Sequence, residues 1–494
     1  MKSDKGGSMQ LSKLLETVGG ELVGDNVEVF SLNVDSRKRV ENSLFICLVG
    51  NNTDSHNYAA MAKKNGAVAL VVERVVDVAL PQVIVPNTRI ALGKIASAFY
   101  GEPSKSLKIV GVTGTNGKTT TAQMLASIWR AAGKKVGVVG TLGVEYGRKR
   151  FPTQLTTPDP IELQQTLADM LISGVEYVVM EVSAHALYYN KVEGIRFVAC
   201  VFTNLTQDHL DFFPSMKEYG DAKRRLFDKD RCSVAIINGD DPFARKVGQE
   251  CEKCCLDTLY YGMETPTDSF AVITKENLLG TECLVNINDY LSRVFIPIAG
   301  MHNVYNALAA STCAVVTDCG EYISKGLSEL KGVPGRLEYV RVGQPWNVYV
   351  DFAHTPDGLQ RSLETLRKYC NGKLICVFGC GGNRDAEKRP LMGEIAARKA
   401  DFAVLTSDNP RYEDPLDIIS AIEKGYRRCS SRYVIIPNRR KAISYALDML
   451  EKEDVLLLAG KGGEDFQEIM GIKYPFNDYT VVEELLAESK SKIW

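Results

Sequence analysis

Residues 113–120 read Thr-Gly-Thr-Asn-Gly-Lys-Thr-Thr and lie between an apolar run and a predicted helix. The two glycines would let backbone N–H groups face an anion, and the start of the helix adds a positive dipole end. Lys118 can reach the outer phosphates of a nucleotide, and the Thr119 hydroxyl can hold Mg²⁺. A plain strand-to-helix turn is the alternative, and the strict nucleotide-binding pattern has glycine where Val112 stands. We therefore predict a variant phosphate loop, formed by Gly114, Thr115, Asn116, Gly117, Lys118, Thr119 and Thr120.

Two further loops, each at the end of a predicted strand, carry groups that can bind a metal ion. Glu181 ends the apolar run 177–180, and His209 lies in the loop 203–211 together with two acids. Taken singly, Glu181 could be a solvated strand end and His209 a structural histidine. Their combination with a phosphate loop favours a site for a metal ion and phosphates.

The elements that must position these loops are short β-branched strands alternating with longer helical patterns, which is typical of parallel α/β units. Ligands of open α/β sheets bind beyond the carboxyl ends of the strands. Nearly every strand predicted after residue 104 ends in a loop rich in Gly, Asp, Asn, His or Arg. We predict an α/β protein of three domains, residues 1–103, 104–331 and 332–494.

Composition narrows the class of protein. Hydrophobic residues make up 45% and charged residues 24%, as in globular proteins. The net charge of −2 lacks the basic surplus expected of a nucleic-acid-binding protein. No run approaches the ~18 apolar residues that span a bilayer, and the first residues lack the apolar core of a signal peptide. The thirteen cysteines lack the paired spacing of a zinc site. We expect a cytoplasmic monomer that binds no nucleic acid and does not insert into a membrane.

Seven motifs occur in order between about Val34 and Asn477. They are the phosphate loop, Glu181-Val-Ser-Ala-His185, the 203–211 loop, Tyr219-Gly-Asp-Ala-Lys223, His302-Asn-Val-Tyr-Asn306, Pro334-Gly-Arg336 and Asp351-Phe-Ala-His-Thr-Pro-Asp357. Together they resemble the Mur ligase family of peptidoglycan synthesis, in the branch that adds the third amino acid of the stem peptide. The resemblance implies a three-domain architecture with a central P-loop ATPase domain and a C-terminal Rossmann-like domain.

The resemblance also implies a reaction. An ATP- and Mg²⁺-dependent ligase would join an amino acid to the D-glutamate of the UDP-MurNAc-dipeptide UDP-MurNAc-L-Ala-D-Glu through an acyl phosphate. Lys223 matches a position that family members carry as a carbamylated lysine, whose oxygens suit Mg²⁺. The implied metal ligands are Thr119, Glu181, His209 and Lys223, and the implied catalytic residues are Lys118, Lys223 and His209. Further nucleotide contacts, on the adenine and ribose side, are Asn303, Arg336 and Asp351.

The loop Ser407-Asp-Asn-Pro-Arg-Tyr412 resembles the form found in members that add meso-diaminopimelate. Arg411 offers a planar fork to the distal carboxylate that diaminopimelate has and L-lysine lacks. L-lysine or another amino acid remains the alternative substrate. The implied amino-acid site consists of Arg389, Asp408, Asn409, Pro410, Arg411, Gly460 and Glu464.

The nucleotide-linked substrate would lie against residues of the first two segments. The implied contacts are Val34, Ser36, Asn51, Asn52, Thr53, Thr156, Thr157, Ser183, Tyr189 and Lys191. Four positions depart from the family's usual residues. Gly463 replaces a histidine, Tyr189 and Lys191 replace glutamine and arginine, and Tyr412 replaces a smaller residue.

Two other functions remain open from the sequence. A folylpolyglutamate synthetase would share the phosphate loop and the lysine, but gives no reason for residues 408–411. A nucleotide-dependent binding or scaffolding protein derived from a ligase would fit the missing histidine at position 463, but not the intact Lys118, Lys223 and Arg411. Because nucleotide and amino-acid groups lie in separate segments, we expect domain closure around ATP.

Overall fold

The computed structural model describes residues 8–50, 53–287, 289–341, 344 and 346–491. Three large sheets follow one another along the chain, each flanked by helices, and the predicted α/β class is confirmed. Within the described residues, no helix is long and apolar enough to cross a membrane.

The first sheet has five strands, of which only the edge strand Glu21–Val23 is antiparallel to its neighbour. In spatial order the strands are Glu21–Val23, Gln82–Ile84, Ala67–Val72, Ser43–Ile46 and Ser31–Asn33. A small ribbon pairs Met9–Gln10 with Glu28–Val29. The helices of this segment are Leu11–Val18, Ala59–Lys64 and Thr88–Phe99, with 3₁₀ turns at Ser55–Tyr58 and Pro103–Lys105.

The second sheet has eleven strands and contains the phosphate-loop strand near its middle. In spatial order they are Lys149–Phe151, Gly143–Tyr146, Val136–Gly140, Tyr177–Glu181, Lys108–Thr113, Ala199–Phe202, Val234–Asn238, Asp257–Gly262, Ser269–Asn277, Gly280–Ile287 and Tyr290–Ile296. The seven strands from Val136–Gly140 to Ser269–Asn277 are parallel, and antiparallel strands extend both ends. Its helices are Lys118–Ala131, Pro160–Ile172, Ala184–Tyr188, Met216–Arg224, Pro242–Lys253, Met301–Val316 and Ile323–Ser328, with 3₁₀ turns at Arg225–Phe227 and Gly320–Tyr322.

The third sheet has six strands, parallel except for the edge strand Glu338–Tyr339. In spatial order they are Glu338–Tyr339, Asn347–Asp351, Val455–Ala459, Leu374–Phe378, Phe402–Leu405 and Tyr433–Ile435. Its helices are Pro356–Arg367, Lys388–Lys399, Pro415–Tyr426, Arg439–Asp448 and Asp478–Ser491. A separate hairpin pairs Phe466–Ile469 with Ile472–Pro475.

Burial explains why these strands form. The central strands Lys108–Thr113, Tyr177–Glu181 and Val455–Ala459 are covered on both faces, so their sequences are nearly continuous apolar runs. Short polar side chains begin the helices between them, as where Asp241 accepts a hydrogen bond from Ala244 N with Pro242 at the first helical position. Because the strands are parallel, the loops that follow them gather at one edge of each sheet.

Candidate active site

The phosphate loop joins the strand Lys108–Thr113 to the helix Lys118–Ala131, as predicted. Gly114 and Gly117 have φ angles of +144° and +88°, which residues with a side chain rarely adopt. A Cβ added to Gly114 would lie 1.8 Å from Thr203 Oγ1, so the neighbouring strand-end loop leaves no room for one. Thr203 Oγ1 in turn donates a hydrogen bond of 2.6 Å to the carbonyl of Asn116, which fixes the loop's path.

Two buried lysines converge on this loop. Lys118 Nζ donates hydrogen bonds to the carbonyls of Gly114 and Thr115 at 2.9 and 2.8 Å, and Lys223 Nζ donates to the same Gly114 carbonyl at 2.8 Å. Burial lowers the pKa of Lys118, and burial together with the charge of Lys118 lowers the pKa of Lys223 well below its usual value. The arrangement concentrates positive charge where an anion would neutralise it, and it favours the neutral amine of Lys223.

Glu181 lies beside the phosphate loop, where its carboxylate is held by two threonines. Thr119 Oγ1 and Thr141 Oγ1 donate to Glu181 Oε2 at 3.0 and 3.1 Å, and Thr141 N donates to Oε1 at 2.9 Å. Thr141 was not predicted as a site residue, although it directly follows the strand Val136–Gly140 and therefore lies at the carboxyl end of a strand like the others.

His209 approaches the same region from the loop after the strand Ala199–Phe202. Its ring lies 5.8 Å from the ring of Tyr219, and Lys223 Nζ lies 4.4 Å from the centre of that ring, so Tyr219 connects the two residues. Burial lowers the pKa of His209 to about 3, which keeps the imidazole neutral at ordinary pH. A neutral imidazole is the form that binds a metal ion.

These donors fit a hard divalent cation. The Thr119 hydroxyl and the Glu181 carboxylate are 3.0 Å apart and can share one coordination sphere, with water and phosphate oxygens completing it. Among the described residues there is no group of three or more His, Cys, Asp or Glu side chains that could hold a metal ion alone. A metal ion bound here would therefore need ligands besides such side chains. The Thr119 hydroxyl, substrate oxygens and oxygens near Lys223 could supply them.

The expected nucleotide contacts lie at the border between the second and third sheets. Asn303 is buried and donates to the carbonyl of Ala299 at 2.8 Å. Asp351 accepts hydrogen bonds from Leu337 N and Ser362 Oγ at 2.6 and 3.2 Å, and burial raises its pKa. Arg336, the third expected contact, lies close to the phosphate loop.

The guanidinium of Arg336 reaches the phosphate loop. Its Nη2 donates to Thr119 Oγ1 at 3.0 Å, and the guanidinium carbon lies 4.6 Å from the centre of the Phe352 ring. Arg336 lies in the turn just before the edge strand Glu338–Tyr339, which pairs with Asn347–Asp351, a placement that spacing along the chain does not reveal. Its guanidinium therefore lies beside the phosphate loop.

Two ion pairs and a hydrogen bond join the second segment, residues 104–331, to the third, residues 332–494. None of these three contacts was predicted from the sequence. Lys388 Nζ and His354 Nε2 lie 3.6 and 3.7 Å from the two carboxylate oxygens of buried Asp208. Asn116 Nδ2 donates to Asp357 Oδ2 at 3.0 Å. The pair of Lys388 with Asp208 brings the start of the helix Lys388–Lys399 next to the loop 203–211.

The predicted amino-acid residues come together beyond the carboxyl ends of the third sheet. Asn409 Nδ2 donates to Glu464 Oε2 at 2.8 Å, and a Cβ on Gly460 would lie 2.4 Å from Asp408 Oδ2. Lys461, which is fully buried and was not predicted, donates to both Asn409 Oδ1 and Glu464 Oε2 at 3.1 and 3.0 Å. These contacts fix one end of the pocket.

Two arginines fix the other end, on the glycine loop 381–382. Arg411 Nη1 donates to the carbonyl of Gly382 at 2.8 Å, and Arg389 Nη2 donates to that of Gly381 at 3.3 Å. Arg389 also pairs with Glu413 at 2.9 Å. A Cβ on Gly382 would lie 2.0 Å from the carbonyl oxygen of Pro410, so this loop and the 408–411 loop are in backbone contact.

The residues expected at the nucleotide-linked substrate fall into two groups. Around Glu181, Thr157 Oγ1 donates to the Glu181 carbonyl at 2.9 Å and accepts from Ser183 N at 3.1 Å, and Thr156 Oγ1 lies 3.2 Å from Thr141 Oγ1. Lys191 pairs with Asp159 at 2.7 Å.

The second group includes Tyr189 and residues of the first sheet, and Arg89 contacts both parts. Its guanidinium lies 4.7 Å from the centre of the Tyr189 ring and donates to the carbonyl of Val49 at 2.8 Å. Thr53 follows on the same loop and accepts a hydrogen bond from Gly50 N. Val34 packs against the hydrophobic core of the first sheet. The Ser36 carbonyl accepts a hydrogen bond from Asn65 Nδ2 at 2.7 Å. Asn51 and Asn52 lie outside the described residues.

Comparison with known proteins decides the family. The profile described as Mur ligase middle domain matches residues 112–314, and that described as Mur ligase, glutamate ligase domain matches residues 335–462. A UDP-N-acetylmuramoyl-L-alanyl-D-glutamate--2,6-diaminopimelate ligase of Caldanaerobacter subterraneus is 42% identical over 486 residues, covering 98% of this chain and 100% of the relative. The chain belongs to the Mur ligase family. A relative with the same name from Geobacillus thermodenitrificans is 40% identical to this Mur ligase and has 98% and 100% coverage.

Solved structures agree with the fold of this Mur ligase. A structure of a UDP-N-acetylmuramoyl-L-alanyl-D-glutamate--2,6-diaminopimelate ligase has a TM-score of 0.67 at 30% identity, covering 94% of this chain and 95% of that one. MurF ligase from Thermotoga maritima, solved in complex with ADP, has a TM-score of 0.62 at 22% identity, covering 94% and 98%. The expected Mur ligase-like architecture is confirmed, and this Mur ligase is an amide-forming ligase by family.

Proposed function

We propose that this Mur ligase adds meso-diaminopimelate to the D-glutamate of UDP-MurNAc-L-Ala-D-Glu, using ATP. The observation that carries the proposal is the pairing of two sites at one sheet border. The phosphate loop with Lys118 lies on one side, the pocket with Arg411 on the other, and Lys388 and Asp208 join the two sides. The names of the 40–42% identical relatives support the same reaction.

The phosphate end would neutralise charge. A carboxylate repels an incoming amine, so the D-glutamyl carboxylate must first accept the γ-phosphoryl group of ATP. Lys118 would exchange its hydrogen bonds to backbone carbonyls for bonds to phosphate oxygens, and Arg336 would add a second cation beside Thr119. Asn303 and Asp351 would bind the remainder of the nucleotide at the sheet border.

We propose Thr119, Glu181, His209 and carbamylated Lys223 as the groups that hold Mg²⁺. When bound, the ion would supply positive charge that screens the phosphates from the carboxylate. The neutral amine of Lys223 would add to CO₂ and release a proton, giving a carbamate with two oxygens. The support is the buried position of Lys223, its neighbour Lys118, and the resemblance to carbamylated family members.

The amino-acid end would hold diaminopimelate by both of its ends. Arg411 would pair with the distal carboxylate, helped by Asp408 and Asn409, and Arg389 would offer a second cation. The Glu464 carboxylate and the Gly460 carbonyl would accept hydrogen bonds from ammonium groups. The UDP-MurNAc part would lie along Thr156, Thr157, Ser183, Tyr189 and Lys191 toward Val34, Ser36, Asn51, Asn52 and Thr53.

We further propose three domains with limits near 103 and 331, because each large sheet is built from strands of one of these segments. We also propose that the enzyme acts as a monomer in the cytoplasm.

The test is phosphate release and product mass with purified protein, ATP, Mg²⁺, the UDP-dipeptide and a panel of amino acids. We expect phosphate release that requires all three substrates and a product heavier by one diaminopimelate residue. Lys118→Ala is the matched inactive control, because it removes a phosphate-loop cation. Nucleotide binding without phosphate release would instead indicate a binding or scaffolding protein. Release with folate and glutamate would indicate a folylpolyglutamate synthetase.

A further inference from the structure

The hairpin Phe466–Ile469 and Ile472–Pro475 holds the backbone of Arg411. Arg411 N donates to the carbonyl of Glu468 at 3.1 Å, and Met470 N donates to the carbonyl of Arg411 at 2.7 Å. Arg411 itself has a φ angle of +52°, in the left-handed region that non-glycine residues rarely adopt. Surroundings that fix such a conformation are typical of functional sites, where they place a side chain in one direction.

The hairpin also contacts the side chain of Arg411. Glu468 Oε2 lies 3.3 Å from Arg411 Nε, and both side chains are mostly shielded, with 24% and 19% of their surfaces exposed. Arg411 Nη1 donates one hydrogen to the Gly382 carbonyl. Among the hydrogen bonds of the described residues, none uses Nη2. Of the four hydrogens on Nη1 and Nη2, three are therefore left for a ligand, and those of the Nη1–Nη2 edge can form a paired contact with a carboxylate.

Glu468 is a fixed partner. Its backbone N donates to Asn409 Oδ1 at 2.9 Å, and Asn409 is itself held by Lys461 and Glu464. The backbone of Glu468 is therefore held beside the 408–411 loop, and its carboxylate lies within reach of Arg411 Nε. An acid held at this place can orient the arginine.

A carboxylate can bind a guanidinium through the Nε and Nη2 hydrogens or through the Nη1–Nη2 edge. We infer that Glu468 is a positioning residue for substrate selection: it occupies the Nε side of Arg411 and so presents the Nη1–Nη2 edge to the distal carboxylate of the amino acid. The inference rests on the proposed function, because diaminopimelate supplies that carboxylate. Holding the long side chain in place before binding also lowers the conformational entropy lost on binding.

The test is steady-state kinetics of Glu468→Gln, which keeps the size of the side chain and removes its charge. We expect the KM for diaminopimelate to rise about five- to fiftyfold with kcat changed by less than about twofold, since a charge-assisted contact to the substrate is weakened. The KM values for ATP and the UDP-dipeptide should stay the same. Glu468→Asp, which keeps the charge, should fall between the wild type and Glu468→Gln.

Two comparisons separate positioning from a general structural effect. Glu484→Gln removes an acid from the exposed pair with Arg440 and should leave all three KM values unchanged. In an Arg411→Ala background, Glu468→Gln should add nothing, because its effect passes through Arg411. An unchanged or lower KM for diaminopimelate in Glu468→Gln, or an equal rise for all three substrates, would overturn the inference alone. A wild-type enzyme that does not use diaminopimelate would overturn the proposed function as well.

Discussion

Single residues at the phosphate loop show an unusual balance of charge. Lys118 and Lys223 both donate to the Gly114 carbonyl, and Arg336 lies one hydrogen bond away from Thr119. Lys118, Arg336 and the amine of Lys223 thus surround one strand-end turn, with Glu181 as the nearby acid. Phosphate groups would pair with Lys118 and Arg336, and the lowered pKa of Lys223 favours the neutral amine from which a carbamate forms.

Lys223→Ala tests the carbamate. We expect activity to fall by about a hundredfold or more, because charge stabilisation by a bound metal is worth several kcal/mol at about 1.4 kcal/mol per tenfold. Short-chain carboxylic acids should restore part of the phosphate release by filling the vacated space. Lys217→Ala, an exposed lysine of the same helix, serves as the control. Full activity of Lys223→Ala would rule out the assignment.

Arg411 is expected to select the amino acid. Arg411→Ala should lower kcat/KM for diaminopimelate by about tenfold to a few hundredfold, because a charge-assisted pair is worth roughly 1.5–3 kcal/mol. Arg411→Lys keeps the charge but loses the planar fork, so it should recover only part of the activity. Competition between diaminopimelate and L-lysine at equal concentration checks the wild type. A preference for L-lysine would show that the argument from Arg411 is wrong.

Gly463, where the family resemblance implies a histidine, has room for a Cβ. A Cβ there would lie 3.4 Å from Leu142 Cδ2 and 3.4 Å from the Pro334 carbonyl, both ordinary contact distances. These neighbours belong to the sheet border and not to the Arg411 pocket. We expect Gly463→His to change the free energy of unfolding by less than about 0.5 kcal/mol and to leave the choice between diaminopimelate and L-lysine unaltered. Chemical denaturation and the competition assay measure the two, and altered selectivity would contradict this placement.

The types and spacing of residues in the sequence predicted the phosphate loop, but not all residues of the candidate active site. The phosphate loop was predictable because its glycines, lysine and threonine have local roles. Lys223 was identified only through the family resemblance, because its partner Gly114 lies 109 positions away and meets it through sheet packing. Glu468 and Lys461 were missed for the same reason, since only the fold brings them to the 408–411 loop.

Among the elements, buried parallel strands were the most predictable. Tyr177–Glu181, Leu374–Phe378 and Phe402–Leu405 coincide with short runs of mostly apolar residues in the sequence. The antiparallel strands between Ser269 and Ile296 were not predicted, because one face is exposed and polar residues interrupt the pattern. A strand with one solvated face has no continuous apolar run.

The last helix, Asp478–Ser491, is anchored by a fully buried ion pair. Arg439 donates to Asp478 at 2.8 and 2.6 Å and to the carbonyl of Ala459, the residue before Gly460 of the amino-acid pocket. Asp478→Asn should lower the free energy of unfolding by about 3–5 kcal/mol, because it leaves a buried guanidinium without a counter-charge. Urea unfolding measures the loss. Glu484→Gln, at the exposed pair with Arg440, should cost less than about 1 kcal/mol. Similar losses in both variants would contradict the role given to burial.

For the whole molecule, function depends on where the sheets meet. Asn116 and Asp357, Lys388 and Asp208, and Arg336 with Thr119 join the second and third segments. The groups proposed for ATP and for the amino acid lie on both sides of this border. Substrates would therefore meet only when the two sides are together, which is the physical basis for the expected domain closure.

The contact between Arg336 and Thr119 also bears on how the protein melts. A nucleotide that touches both sides couples the unfolding of two parts that could otherwise lose structure independently. Binding to the folded state alone adds about 2.7 kcal/mol at a hundredfold excess over Kd. In differential scanning calorimetry, we expect a non-hydrolysable ATP analogue to merge overlapping endotherms into one narrower transition. In Arg336→Ala, the analogue should raise the unfolding temperature of only one part of the protein, so that the endotherms stay separate. Identical thermograms for the two proteins would show that the cooperativity of unfolding arises elsewhere.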